Sequence, residues 1–197
     1  MIFTNSRSIN KQNVSINNNF VYKMNKPPPR REIKKVAPVP KPEPAGPRNL
    51  WGPAIWYMLH TTAEKIKEES FSILKNDLFS HIISICSNLP CPNCSMHATT
   101  YLKKVDFSKI NTKEDLKRML FLFHNDVNKR LGKEEFTYSE LNGKYSRGDY
   151  SKILNVFFKY FEDKHRTVHM LSNDMFTQRV SRKIRQWILN NRQHFDP

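Results

Sequence analysis

From Trp51 onward, apolar residues return at the three- and four-residue spacing of an α-helix in one segment after another, so the folded part of this chain must be built from packed helices. The first segment runs from Trp51 to about Glu68, with Ile55, Trp56, Leu59, His60 and Ala63 on one side; Pro53 is tolerable there only in the first turn. The second, about Ser70 to Asn88, places Phe71, Leu74, Leu78, Phe79, Ile82, Ile85 and Cys86 on one face and is ended by Pro90. A third continues to about Lys104. A fourth opens at Thr112, where Glu114 and Asp115 complete a helix-start signal, and closes at Gly132; its stripe is Leu116, Leu120, Phe123, Val127 and Leu131. Two further amphipathic patterns cover about 148–164 and about 172–194.

The third segment carries the chemistry. In Leu89-Pro90-Cys91-Pro92-Asn93-Cys94-Ser95-Met96-His97 two thiols lie three residues apart at the start of a helix. Such a pair can close a small disulfide and exchange it with another dithiol, and the helix N-terminus favours thiolate at Cys91. The same spacing also begins many zinc sites, for which Cys86, Cys91, Cys94 and His97 are nominal ligands. No second C-x-x-C or H-x-x-x-H completes a zinc pattern, so the spacing favours redox chemistry over metal. Cys86, among the apolar residues of the second helix, reads as a core thiol. On the fourth helix, His124 and Asn128 interrupt the apolar face with Asn125 beside them. Burying an imidazole and amides together costs free energy unless a polar partner meets them, and ring nitrogens, a ribose or phosphates would be such a partner.

Charge separates the chain into three parts. The 197 residues carry a net +15, but residues 49–142 hold twelve Lys/Arg against eleven Asp/Glu, whereas 1–48 hold ten against two and 143–197 eleven against five. The near-neutral middle is not a nucleic-acid platform. Residues 1–48, rich in Asn, Pro and basic residues, read as a disordered tail that buries too little apolar surface to order itself. Arg is sparse there and no amphipathic stripe is visible, which argues against a mitochondrial transit peptide, and a start at Met24 would remove that idea. Arg179, Arg182, Lys183 and Arg185 make the last helix basic, which reads as a solvated face. Three cysteines do not staple a secreted scaffold, no apolar run approaches the ~20 residues of a membrane span, and the N-terminus lacks an apolar signal core. A soluble intracellular protein is expected.

Three blocks together resemble one family. Trp51-Gly52-Pro53-Ala54-Ile55-Trp56-Tyr57-Met58-Leu59-His60 is similar to G-x-x-x-W-x-x-L-H, Leu89–Tyr101 to C-x-x-C-x-x-H-A-x-x-Y, and His124–Lys133 to H-N-x-V-N-x-x-L-G-K, all motifs of the FAD-linked sulfhydryl oxidases of the Erv/ALR type and above all of their short forms in large cytoplasmic DNA viruses. The resemblance implies an all-α fold: a four-helix bundle with a short fifth helix over 49–145, followed by a helical basic extension over 146–197. It implies FAD held by Gly52, Trp56, His60, His124, Asn125, Val127, Asn128, Lys129 and Lys133, with Tyr138 and Tyr145 near the adenine and no metal. Electrons would pass from a partner protein's dithiol, attacking at Cys91 as the more exposed sulfur, through the Cys91–Cys94 pair to FAD and then to dioxygen, giving hydrogen peroxide. A homodimer through the first two helices and a site of action in host cytoplasm or virion are also implied. Two features depart from the family: Cys86 alone cannot form the extra shuttle or structural disulfide of cellular relatives, and Pro53 stands where many relatives have Arg.

Overall fold

The computed structural model, which describes residues 48–162 and 171–196, is helical in every segment where the apolar spacing predicts a helix. The elements are α1 (Arg48–Lys65), α2 (Glu68–Ser87), α3 (Pro92–Leu102), α4 (Lys113–Arg130), α5 (Glu140–Tyr145), α6 (Tyr150–Glu162) and α7 (Leu171–Asn190). Among the described residues the only extended pairing is an isolated antiparallel bridge between Ile66 and Phe195. The tail expected over 1–48 lies, up to residue 47, outside the described residues.

Local chemistry accounts for the ends. At the start of α4, the Thr112 side chain accepts from Asp115 N–H at 3.1 Å while the Asp115 carboxylate accepts from Thr112 N–H at 3.0 Å, a reciprocal box that satisfies two otherwise unpaired donors. At its other end Gly132 takes φ +64°, Lys133 N–H donates to Asn128 O at 2.9 Å and Gly132 N–H to Lys129 O at 3.1 Å. This left-handed reversal needs glycine and turns the chain back so that Lys133 follows directly on α4. In α1 the helix begins at Arg48, three residues earlier than the spacing suggests, so Pro53 lies in the second turn instead of the first.

The expected face of α2 is buried in full: Phe71, Leu74, Leu78, Phe79, Ile82, Ile85 and Cys86 all belong to the central core with Ile55, Met58 and Leu59 of α1 and Leu116, Leu120 and Phe123 of α4. That core does not stop at 145. Tyr150, Phe157, Phe158 and Phe161 of α6 and Ile184 of α7 are buried in the same cluster, and Tyr150 Oη lies 3.0 Å from Thr62 Oγ1 of α1. The last residues are stitched to the α1–α2 junction, with Lys67 N–H donating to His194 O at 2.9 Å and Asp196 N–H to Lys65 O at 2.7 Å. The boundary expected at 145/146 therefore does not separate two cores. The apolar face of α2, expected to be compatible with a dimer, is covered within the chain. No described helix is long and apolar enough to cross a membrane.

Candidate functional site

Trp56 and His60 are one turn apart on α1 and so project from the same face. Opposite them, α4 offers Phe123 and His124. The Trp56 indole stacks on the His124 ring with centroids 4.0 Å apart and planes 7° from parallel, and meets Phe123 edge-on at 5.1 Å. His60 Nε2 lies 3.1 Å from His124 Nδ1, and the His60 ring stacks on Tyr145 of α5 at 4.5 Å and 12°. The result is a ladder of four rings: Tyr145, His60, His124 and Trp56. One imidazole must donate the shared hydrogen bond and the other accept it. Burial holds both histidines down to about 3, reinforced for His60 by the neighbouring His124 and Lys144 and for His124 by Lys144 and Lys133.

This ladder borders a cleft of about 220 Å³ whose walls include Trp51, Gly52, Trp56, Cys94, His97, His124, Val127, Asn128, Lys133, Lys144 and Tyr145. The dithiol helix supplies the sulfur. Cys91 is the N-cap of α3, its Sγ accepting from Cys94 N–H at 3.3 Å, and Pro92 occupies the first helical position, where no N–H is missed. That spacing brings Cys94, one turn in, into the cleft wall. The expected order of exposure is reversed: Cys91 is 6% exposed, whereas Cys94 is half-buried, because the N-cap sulfur folds back over the first turn. Cys86 is buried, its thiol pushed up to about 12 by desolvation, as a core thiol should be.

Of the residues expected at a cofactor, Gly52, Trp56, His124, Val127, Asn128, Lys133 and Tyr145 line the cleft together with Cys94. His60 stands behind, through its contacts with His124 and Tyr145. Asn125, Lys129 and Tyr138 are not in the wall. The Asn125 amide is spent on the backbone of one residue, Nδ2 donating to Phe136 O at 2.8 Å and Oδ1 accepting from Phe136 N–H at 3.2 Å; it pins the chain after α4. Tyr138 Oη donates to Glu114 instead. Sequence reading missed Lys144, Arg130 and Trp51, which also line the cleft. For Trp51 the helical period gave a signal; Lys144 lies in a turn-like stretch that gave none. His97 reaches the cleft as well, but its Nε2 lies 3.0 Å from Asp126 Oδ2, which ties α3 to α4. Among the described residues no three His, Cys, Asp or Glu side chains gather as metal ligands.

Three features fit a flat heteroaromatic group with an anionic tail. Trp51 Nε1 is buried without a hydrogen-bond partner in the protein, though its ring lines the cleft. Gly52 lies inside a helix, where glycine costs about 1 kcal/mol, yet a methyl there would meet nothing within 4 Å beyond its chain neighbours and its own turn of helix backbone. Arg130, Lys133 and Lys144 put positive charge in the same wall as the aromatic rings.

The sequence is similar to those of known proteins. The sequence pattern of the Erv1/Alr family matches residues 53–146. A FAD-linked sulfhydryl oxidase of African swine fever virus (isolate Tick/Malawi/Lil 20-1/1983) is 35% identical over 106 residues, 54% of this chain and 85% of that protein. The putative FAD-linked sulfhydryl oxidase 347L of Invertebrate iridescent virus 6 is 31% identical over 91 residues, covering 43% and 82%. The mitochondrial FAD-linked sulfhydryl oxidase erv1 of Schizosaccharomyces pombe is 29% identical over 86 residues, 43% and 47%. No solved structure matches significantly.

Proposed function

Because this chain belongs to the Erv1/Alr family, we propose that it is a FAD-dependent thiol oxidase that makes disulfides in partner proteins, with dioxygen as final acceptor and hydrogen peroxide as product. What supports the reading most is that a half-buried sulfur, Cys94, shares one cleft with the stacked Trp56 and His124, with Asn128 and with Lys133. Those residues and Gly52 would hold FAD, the apolar and aromatic walls taking its ring and the cationic residues its pyrophosphate. FAD supplies a two-electron acceptor that dioxygen can reoxidise.

The chain's own share is thiol exchange. A thiolate of the partner attacks Cys91 of the Cys91–Cys94 disulfide, forming a mixed disulfide and releasing Cys94 as thiolate in the cleft wall. The partner's second thiolate then attacks the mixed disulfide, which closes the partner's disulfide and releases Cys91. The pair is left reduced by two electrons, and Cys94 is the sulfur facing their way out. With Cys91 buried, the turn of Leu89 to Pro92 has to yield for the first attack. A shallow groove lined by Ser87, Leu89, Pro92, Ser95, Met96 and Thr99 runs beside the dithiol, with Met96 64% exposed and no charged side chain in its wall; it suits an uncharged segment of a protein partner better than a charged small thiol. Two copies of the chain, if they pair through α1 and α2, would have to use outward residues such as Leu50, Tyr57, Ile73 and Ile83. The viral relatives support action in host cytoplasm or virion.

The test is stoichiometric. The purified full chain should contain bound FAD and, given a reduced protein dithiol, consume one dioxygen and form one hydrogen peroxide for each disulfide made. Disulfide formation without oxygen uptake would overturn the assignment of the acceptor.

A further inference from the structure

α5 is six residues long, contains Gly143, and its N-cap Ser139 makes no side-chain capping bond. Such a helix has almost no stability of its own, so its position is dictated by what grips it. It nevertheless presents Lys144 and Tyr145 to the cleft, and the Tyr145 ring closes the aromatic ladder on His60. Besides the buried side chains of Leu141 and Tyr145, the grip is polar: Lys117 Nζ of α4 donates to Asn142 Oδ1 at 2.7 Å.

Lys117 is an unusual residue for that task. Its side chain is only 9% exposed, and its ammonium is met by Glu64 Oε2 of α1 at 2.8 Å and Glu114 Oε2 at 3.5 Å as well as by Asn142. The ammonium thus meets two carboxylates and one amide oxygen, on three helices, and the buried charge is paired. A lysine needed only to join α1 to α4 would be served by Glu64. The bond to Asn142, an exposed residue of a helix that cannot stand alone, extends the junction to the cleft wall.

We propose that Lys117 is a positioning residue for the cofactor site: through Asn142 it fixes α5, and with it Tyr145 and Lys144, against α1 and α4. The proposal rests on the FAD reading above and adds to it a residue outside the three sequence motifs. Lys117 itself does not line the cleft.

The experiment compares the full wild-type chain with Asn142→Ala, Lys117→Met and Lys117→Arg, each stripped of flavin and titrated with FAD. Asn142→Ala leaves the Glu64 and Glu114 contacts of Lys117 in place, so the flavin-free protein should fold and lose little in melting temperature, while FAD affinity should weaken about tenfold, the loss of one charge-assisted bond. Lys117→Met should weaken FAD at least as much and also lower the melting temperature, because Glu64 loses its partner; Lys117→Arg should keep FAD affinity near the wild-type value. FAD affinity of Asn142→Ala within twofold of wild type overturns the proposal, whatever Lys117→Met does to stability. A wild-type chain that takes up no FAD overturns the oxidase reading and this inference with it, an outcome distinct from equal uptake by wild type and variants.

Discussion

The two histidines at the centre of the ring ladder make the flavin-free chain sensitive to mild acid. In the folded protein both are held down to about 3, against an ordinary value of 6.5 that the unfolded chain recovers. The unfolded state therefore binds protons that the folded state refuses, and stability conferred by the neutral pair is complete above 6.5 and is lost progressively as pH falls toward 3. Between about pH 7.5 and about pH 5.5 the two histidines together remove about 3 kcal/mol, a large fraction of the 5–15 kcal/mol typical of a domain. The control follows from the geometry: His60 uses Nε2 and His124 uses Nδ1, so His60→Gln with His124→Asn keeps polar atoms near those places without the titration. Urea unfolding at the two pH values should show the wild type losing about 3 kcal/mol more than the double variant, with His81, whose value burial also lowers, common to both. Equal losses would refute the claim that these two rings are buried neutral.

Other perturbations probe the core and the partner groove. Phe157, fully buried in α6, should cost about 3–5 kcal/mol on replacement by Ala, in a single cooperative transition; a separate early melting of α6 would show that the C-terminal helices are an appendage. Met96→Asp, an exposed change beside the dithiol, should raise KM for reduced thioredoxin severalfold while leaving turnover of dithiothreitol unchanged; equal effects on both thiols would remove the groove from partner binding.

Helical period revealed which faces are apolar, and that was enough for α2, whose predicted face is buried residue for residue. Period does not say what covers a face. The aromatic residues of α6 are as regular as those of α2, yet only the folded chain shows that Phe157 and Phe158 join the core of α1 instead of forming a separate layer. The site was legible where chemistry is local: the C-x-x-C spacing put Cys91 at an N-cap and Cys94 one turn in, and the odd His124 and Asn128 on an apolar stripe marked a cleft. It was illegible where partners are distant in sequence. Asn125 belongs to the same motif as His124, but its amide is taken up by the backbone of Phe136, and nothing within α4 announces that. Nothing in the sequence marks Lys117, because Glu64 and Asn142, which meet its ammonium, come from elements far from it in the chain.

If the chain is an oxidase, Cys94 and a flavin meet in the cleft bounded by Trp56 and His124. Adding dithiothreitol to the purified full chain under anaerobic conditions and following the flavin absorbance tests it most directly. The wild type should bleach rapidly, whereas a Cys94→Ser variant should keep its FAD and stay yellow; a colourless wild-type protein, or a variant that bleaches as fast as wild type, would refute a meeting of Cys94 with flavin.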